Sequence, residues 1–251
     1  MAFESTRLQM HVVPAAEWGA AAARILEAEL LLRPAALIGL PTGNTPQPFY
    51  AELRRLHGEG KLAAGQFRVL MVDDYLGAGQ LATNSYHWLS REVLRPLGIG
   101  DGRVLRMPTD PAQMPVACAE FERQLQQWGG CDLMFLGLGP NGHVAFNEPG
   151  SGASSRTRVV RLNEATARAN AAYWRGAFMP HEAVTLGLGT ILESRAICLL
   201  VRGAAKSEVL RAALLEPETP DLPASVLRRA RRLIVLADTA AAPDADIFPH
   251  A

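Results

Sequence analysis

The residues best suited to proton-transfer chemistry are His143 and Glu148, which follow one short apolar segment of the chain. That segment, residues 133–136, has the sequence LMFL and is bounded by turn residues, so it predicts a buried strand. It is followed at 137–142 by GLGPNG, which favours a loop. Open α/β sheets bind ligands at this carboxyl end of a strand. A hydrogen-bonded structural histidine fits the same position, so both interpretations stay open here.

A second loop, residues 41–46, has the small polar sequence PTGNTP between a predicted strand and a predicted helix. Small residues let backbone N–H groups approach an anion, and the following helix directs its positive end at that anion. The loop has neither the Gly-Lys-Ser/Thr nor the G-x-G-x-x-G spacing of nucleotide sites. It predicts a phosphate or sugar-phosphate site, with an ordinary turn as the alternative. The candidate residues are Thr42, Gly43, Asn44 and Thr45.

Two further predicted strands are followed by charged side chains. Strand 67–72 ends in Asp73 and Asp74, and side chains alternate along an extended strand. One of the two carboxylates is therefore expected to face a site, and the other to cap or pair. Lys206 follows strand 196–201 through a loop of small residues.

The whole chain alternates between predicted helices and strands. Helices are predicted over 18–32, 48–57, 88–94, 117–128, 166–173 and 207–215, and strands over 35–40, 67–72, 133–136, 183–188, 196–201 and 232–237. This alternation predicts a three-layer α/β/α sandwich with a mainly parallel, Rossmann-like sheet, in one domain over 1–251. A parallel sheet brings the carboxyl ends of its strands to one edge, so the candidate residues are expected to converge, although the sequence does not fix the strand order.

Composition narrows the classes of partner. The 251 residues are 49% hydrophobic, which is enough for a substantial core, and Lys+Arg and Asp+Glu balance at 25 each. A neutral chain gives no reason to expect nucleic acid or a membrane surface as partner. The densest basic run, at 228–232, is expected to cap a helix.

Cysteine usage and hydropathy bear on location. Three cysteines without paired spacing indicate neither a disulfide framework nor a zinc site, and Cys198 is expected in the core. No apolar stretch approaches about 18 residues, and the first residues lack the pattern of a signal peptide. A cytoplasmic protein without a bound metal is the expectation.

Taken together, these segments resemble the glucosamine-6-phosphate deaminases, also called isomerases. The resemblance is carried in collinear order by 40–46 (LPTGNTP), 73–75 (DDY), 139–149 (GPNGHVAFNEP), 155–158 (SRTR), 190–192 (TIL), 206–208 (KSE) and 223–227 (PASVL). The string from His143 to Pro149 is the most specific of them. The chain is most similar to the compact, non-allosteric subgroup.

The resemblance implies a cofactor-free enzyme of amino-sugar metabolism, a deaminase-like hydrolase/isomerase that converts glucosamine 6-phosphate to fructose 6-phosphate and ammonia. By this correspondence His143 would assist opening of the sugar ring, oriented by Asn141 and Glu148. Asp73 would move the proton from C2 to C1. The loop at 42–45 and Lys206 would hold the phosphate, in a monomer or small homo-oligomer.

Two positions depart from the family's pattern, and one segment is expected to move. Some members have an aspartate where this sequence has Asn141, whose amide can still fix the imidazole tautomer but does not stabilise an imidazolium as a carboxylate would. Where the family has an arginine that contacts the phosphate, this sequence has Ala172. The candidates to replace that arginine are Arg168, Arg175 and Arg202; a different substrate is the other explanation. A mobile lid is expected over about 158–182.

Three other functions stay open. The chain could act on another hexosamine phosphate. A 6-phosphogluconolactonase shares the sugar-phosphate loop and a Gly-Pro-Asp-Gly-His string, but the segments FNEP after His143 and DDY at 73–75 are of the deaminase type. A non-catalytic sugar-phosphate sensor normally carries a DNA-binding segment, which the sequence does not indicate.

Overall fold

The computed structural model describes residues 8–62, 66–77, 84–162 and 181–242. The strands are β1 Leu8–Val13, β2 Leu37–Leu40, β3 Arg68–Met71, β4 Asp73–Tyr75, β5 Val104–Leu105, β6 Leu133–Gly137, β7 Arg158–Arg161, β8 Glu182–Thr185, β9 Ala196–Val201 and β10 Leu233–Asp238. The helices are α1 Trp18–Leu32, α2 Gln47–Gly58, α3 Ser85–Leu89, α4 Met114–Gln127, α5 Leu188–Leu192 and α6 Ser207–Leu215. Short 3₁₀ turns occur at Asp101–Arg103, Pro111–Gln113, Ala204–Lys206 and Pro223–Arg229, and a π-helical turn, Ser90–Leu94, follows α3.

The main sheet is parallel, as the alternation of helices and strands predicts. Seven strands lie in the order β1-β10-β9-β6-β2-β3-β5, and every neighbouring pair in it is parallel. Its central strands are almost entirely apolar, with Asp238 at the end of β10 as the exception, and every residue of β2, β9 and β10 is buried. Continuous apolar strands of this kind are typical of a sheet that is covered on both faces.

The two halves of the sheet are wound in opposite directions. From β2 to β3 to β5 the chain moves towards one edge, and from β6 to β9 to β10 it moves towards the other. Because strand–helix–strand connections are right-handed, the helices of the two halves cover opposite faces. The three-layer prediction is therefore confirmed. The change of direction falls between the adjacent strands β2 and β6, which is where such sheets form a ligand crevice.

A second, antiparallel sheet with the order β4-β8-β7 corrects one expectation. The sequence predicts a single strand over 183–188, as part of a mainly parallel sheet. Its first half is β8 of the second sheet, and Leu188 instead begins α5. Apolar patterning reports that a strand is buried but not which strand it pairs with, and this is why the second sheet was not predicted.

Several strands were missed because they are short or half-exposed, namely β1, β5 and β7. The predicted helix 166–173 lies outside the described residues, as does most of the predicted lid. The two ends of that lid segment are paired, because Arg161 lies opposite Glu182 in the second sheet. The lid itself stays a prediction.

Helix α1 matches its predicted bounds and packs closely on α2. Its first residue, Trp18, is fully buried and donates from Nε1 to the Leu236 carbonyl at 3.3 Å. The next residue, Gly19, allows a close approach, because a Cβ there would lie 2.6 Å from the Pro48 oxygen at the start of α2. No described helix combines the length and the apolar character that a bilayer span requires.

The basic run at 228–232 has the capping role that the sequence predicts. Arg228 donates to the carbonyl of Leu214 at 3.4 Å and to that of Glu216 at 2.7 Å, at the carboxyl end of α6. Arg229 forms an ion pair with Glu218 at 2.6 Å. Carbonyls at a helix end lack intrahelical partners, so a guanidinium stabilises them.

Candidate active site

Four neighbouring strands carry the predicted site residues at their carboxyl ends. Lys206 follows β9, His143 follows β6, the loop 42–45 follows β2, and Asp73 follows β3. These strands are adjacent and parallel in the order β9-β6-β2-β3, so their carboxyl ends form one continuous edge. The strand order, which the sequence left open, thus brings the four segments together, with the crevice between β2 and β6 at their centre.

His143 lies against Glu148 and Asn141. Its Nδ1 is 3.2 Å from Glu148 Oε1, an ion-pair distance without the alignment of a hydrogen bond. Asn141 Nδ2 donates to the other oxygen of Glu148 at 2.7 Å, and Asn141 Oδ1 accepts the His143 amide at 3.2 Å. Because Glu148 faces Nδ1, a neutral imidazole would hold its proton there and keep Nε2 as an acceptor.

The imidazole can occupy this place only because residue 139 is glycine. A Cβ on Gly139 would lie 2.4 Å from both Cδ2 and Nε2 of His143, well inside van der Waals contact. The Gly139 amide also donates to the His143 carbonyl at 2.9 Å, which closes the turn between them. Any other residue at 139 would displace the ring.

The segment after His143 is fixed to the second sheet by Asn147. This side chain is fully buried, and its Nδ2 donates to the carbonyls of Val144 at 3.0 Å and Leu186 at 2.8 Å. Its Oδ1 accepts a hydrogen bond from Arg158 at 2.9 Å. Ala145, which lies between Val144 and Asn147 in the chain, has the left-handed backbone angle φ 49°, which costs about 1 kcal/mol for a non-glycine residue. Asn147 belongs to the FNEP string, but no feature of the sequence predicts this structural role.

Thr185 joins this loop to Asp73. It lies opposite Asp73 in the pairing of β4 with β8, and its Oγ1 accepts the Phe146 amide at 3.1 Å. One residue earlier, the Val72 carbonyl accepts the Leu186 amide at 2.9 Å. The strand of Asp73 and the loop of His143 are therefore held side by side. Thr185 had no distinguishing feature in the sequence, because its importance comes only from its place in the second sheet.

The two adjacent aspartates divide as the alternation of side chains predicts. Asp74 Oδ1 accepts the amides of Tyr75 at 2.7 Å and Ser85 at 2.9 Å, and Oδ2 accepts that of Tyr86 at 3.3 Å. Asp74 therefore anchors the start of α3. Asp73 is buried, yet no described residue donates a hydrogen bond to its carboxylate. Burial, and then the negative charge of Asp74, raise the pKa of Asp73 to about 7.

The loop 42–45 has free backbone donors. Gly43 has φ 99°, a left-handed conformation that favours glycine, and within the described residues no amide of 42–45 donates a backbone hydrogen bond. The first turn of α2 contains no acidic side chain. Tyr50, fully buried on α2, fixes the loop by donating from its hydroxyl to the Pro41 carbonyl at 2.6 Å. These groups can bind an anion.

Lys206 completes the edge with a cation. It ends a 3₁₀ turn that begins after Gly203, whose amide donates to the Asp238 carboxylate at 3.0 Å. Partial burial lowers the pKa of Lys206, and in the described part of the chain no carboxylate pairs with its ammonium. Of the candidates to replace the family's phosphate-binding arginine, Arg202 lies within the described residues. The other two, Arg168 and Arg175, lie outside them, as does Ala172.

A cavity of about 730 Å³ lies elsewhere, between α4 and β7, and contains none of the predicted site residues. It is lined in part by Met114, Cys118 and Val159, and by the Glu122 carboxylate. That carboxylate is engaged by the hydroxyls of Thr157 and Thr190. The candidate active site therefore rests on the convergence of side chains at the sheet edge and not on the size of a cavity.

The fold and this edge define a doubly wound α/β protein whose acid–base and anion-binding residues meet at the point where the winding changes direction. Residues 14–235 match the family described as glucosamine-6-phosphate isomerases/6-phosphogluconolactonase. The chain belongs to that family.

Comparison with individual proteins gives the same result. A glucosamine-6-phosphate deaminase of Arthrobacter sp. (strain FB24) is 38% identical over 237 residues, which are 92% of this chain and 91% of that protein. The solved structure of a monomeric glucosamine-6-phosphate deaminase superposes with a TM-score of 0.88 at 32% identity and covers 94% of this chain and 98% of its own. A 6-phosphogluconolactonase from Trypanosoma brucei shares the fold, with a TM-score of 0.74 at 22% identity over 97% of this chain and 100% of that one.

Proposed function

We propose that the protein is a glucosamine-6-phosphate deaminase, which converts glucosamine 6-phosphate and water to fructose 6-phosphate and ammonia. The observation that carries the proposal is that Thr185 holds Asp73, a buried carboxylate of raised pKa, beside the loop that contains His143 and Glu148. An isomerase needs both a ring-opening group and a carbon base at one substrate. The deaminases among the relatives support the same assignment.

Ring opening is the first step of the proposed mechanism. The C1 hydroxyl loses a proton and the ring oxygen gains one, so a single group that accepts and then donates is sufficient. His143 Nε2 has the free lone pair for this, while Glu148 beside Nδ1 stabilises the imidazolium that forms transiently. Asn141 holds the Glu148 carboxylate in place.

Proton transfer between carbons follows, because the exposed C1 aldehyde makes the C2–H acidic. Asp73 takes the C2 proton, the C–H electron pair forms the C1–C2 double bond, and the C1=O π pair moves to O1, which gains the proton that the substrate's ammonium group gives up. Asp73 then returns its proton to C1, while the nitrogen lone pair forms the C2–N double bond as the C1–C2 double bond breaks. The product is a ketimine at C2. Water adds to that carbon, and the C2–N bond breaks to release ammonia, so this last step is hydrolytic. A base with a pKa of about 7 is matched to work near neutral pH.

The phosphate supplies binding energy away from the reacting carbons. A phosphate ester carries about −1.5 to −2 charges near pH 7. The free amides of 42–45 and the Lys206 ammonium offer opposite charge and hydrogen bonds to it. The proposed mechanism uses neither a metal ion nor an organic cofactor.

The decisive experiment is an ammonia-release assay on glucosamine, galactosamine and mannosamine 6-phosphates, with 6-phosphogluconolactone as the comparison substrate. We expect equal amounts of ammonia and fructose 6-phosphate from glucosamine 6-phosphate and no acceleration of lactone hydrolysis. Ammonia release from only one of the other two amino-sugar phosphates would assign that compound as the substrate instead. Lactone hydrolysis without ammonia release would make the protein a lactonase, and neither activity would favour a sensor.

Assembly and location remain predictions. A monomer or small homo-oligomer in the cytoplasm fits a metabolic enzyme of this kind, and the solved deaminase with the TM-score of 0.88 is monomeric. Size-exclusion chromatography with light scattering tests the first of these.

A further inference from the structure

Arg202 lies at the carboxyl end of β9, and no described carboxylate forms an ion pair with it. Its Nε atom is buried and has no hydrogen-bond partner among the residues described. The Asp238 carboxylate at the end of β10 is already engaged, because it accepts the amides of Gly203 and Ala241. Leaving a buried charged donor unsatisfied is costly, so such a group calls for a ligand.

The guanidinium lies over an aromatic ring. Its Cζ lies 5.2 Å from the centre of the Trp18 ring, a cation–π distance. The ring is itself fixed, because Trp18 is fully buried and its Nε1 donates to the Leu236 carbonyl of β10 at 3.3 Å. A cation–π contact supplies no oxygen acceptor, so the guanidinium N–H groups can still bind one.

The position of Trp18 relates Arg202 to the anion-binding loop. Trp18 begins α1, and the next residue, Gly19, lies directly against Pro48 in the first turn of α2. That turn is the continuation of the loop 42–45. The amino-terminal ends of α1 and α2 are therefore in contact, with Arg202 beside the first and the free amides beside the second. Both helix ends carry partial positive charge.

We propose that Arg202 is a phosphate-binding residue, which joins Lys206 and the amides of 42–45 in binding the substrate's phosphate group. The inference rests on the proposed function, since it assigns a further contact to the same substrate. A phosphate oxygen at the guanidinium edge would satisfy the buried Nε–H, and a planar guanidinium suits two oxygens at once. It would also supply the cation that Ala172 cannot supply.

The test compares Arg202→Met with Arg202→Lys and with Arg232→Met as a matched control. Arg232 lies just before β10, at the opposite edge of the sheet, and donates to Gln9 at 3.0 Å. Two quantities are measured, namely the KM for glucosamine 6-phosphate and the inhibition constant of inorganic phosphate. For Arg202→Met both should rise about 10- to 100-fold, the loss of a charged hydrogen bond, with kcat little changed. Arg202→Lys should lie between, and the control should match the parent protein.

Other results would overturn the proposal. Unchanged KM and inhibition constants in Arg202→Met would do so, and so would a fall in kcat alone. If Arg202→Met does not fold, Arg202→Gln, which keeps a polar head group, is measured against the same thresholds.

A binding readout separates this inference from the proposed function. Inorganic phosphate should raise the melting temperature of the parent protein, and less so for Arg202→Met at the same phosphate concentration. Loss of that response together with no ammonia release by the parent would refute the deaminase and keep the phosphate contact. Ammonia release together with an unaltered response would refute the contact and keep the deaminase.

Discussion

Asp73 and Asp74 are neighbours in the chain but have different electrostatic environments. Asp74 is satisfied by three backbone amides, whereas the described structure provides no donor for Asp73. The difference follows from the alternation of side chains along β4, which directs one carboxylate at α3 and the other at the sheet edge. A buried carboxylate of raised pKa is suited to be a base, and one that already accepts three hydrogen bonds is not.

Replacing Asp73 by asparagine removes the proposed base and retains its shape. We expect kcat for glucosamine 6-phosphate to fall about 10²- to 10⁴-fold, the usual contribution of a general base, while KM changes little. Steady-state kinetics measure both constants. Asp74→Asn serves as the comparison. It should lower the free energy of unfolding, because it weakens the contacts with the three backbone amides, and it should change kcat much less than Asp73→Asn does. Full activity of Asp73→Asn would exclude this residue from the mechanism.

The same substitution should change stability in a pH-dependent way. The pKa of Asp73 is raised to about 7 in the folded protein, against about 3.9 in an unfolded chain. The folded state therefore binds more protons between these values, and the contribution of Asp73 to stability falls as pH rises through that window. The free energy of unfolding of Asp73→Asn should exceed that of the parent protein by about 1–4 kcal/mol above pH 7, and the two should be equal below about pH 4. Urea unfolding at several pH values measures this, and a constant difference would contradict the raised pKa.

His143→Gln should distinguish ring opening from later steps. Glutamine keeps hydrogen-bonding capacity but cannot relay a proton near neutral pH. We expect a much larger loss of kcat on cyclic glucosamine 6-phosphate than on a substrate analogue locked in the open chain. Parallel assays of the two compounds provide the measurement. Equal losses on both would assign His143 to a step after ring opening.

At the level of elements, the three-stranded sheet positions the chemistry although it carries little of the core. Strand β8 contacts Asp73 through backbone pairing and the His143 loop through the Thr185 hydroxyl. The loop is thus fixed by groups that are far apart in the sequence.

Thr185→Val tests that role against Thr190→Val, a matched pair of fully or nearly buried threonines. The Thr185 hydroxyl accepts the Phe146 amide, and that of Thr190 donates to Glu122 at 2.6 Å, away from the sheet edge. Both variants should lose about 1–3 kcal/mol of stability. Only Thr185→Val should also lower kcat and shift its pH profile, because it releases the segment that holds His143. An unchanged kcat and pH profile in Thr185→Val would show that Thr185 contributes to stability alone.

At the scale of the whole molecule, the packing of α1 on α2 sets where the two helix amino termini lie. Gly19→Ala would place a Cβ 2.6 Å from the Pro48 oxygen, so the helices must separate. We expect a loss of about 1–3 kcal/mol, typical of overpacking, measured by chemical unfolding. Gly58→Ala is the control within α2, where an added Cβ meets nothing within 4 Å and should be neutral or stabilising. A neutral Gly19→Ala would mean that this contact is loosely packed.

The sequence by itself determined the local structure and the candidate residues. The bounds of α1, α6 and β9 follow from helical or apolar periodicity and from the residues that end each element, which are properties of contiguous chain. The division of labour between Asp73 and Asp74 also follows locally, because alternation needs no tertiary partner. The segments 42–45 and 143–148 were found by residue type and spacing alone.

Only the tertiary structure decided which of these segments meet. Four features join residues that are distant in sequence. They are the strand order β9-β6-β2-β3, the separate sheet of β4, β8 and β7, the contact from Thr185 to the His143 loop, and the cation–π contact of Arg202 with Trp18. A buried strand has the same apolar pattern whichever neighbour it pairs with, and a threonine or arginine has no local mark of a distant partner. The local pattern of this chain therefore determines which residues are buried, whereas the packing of the whole molecule determines which strands and side chains pair.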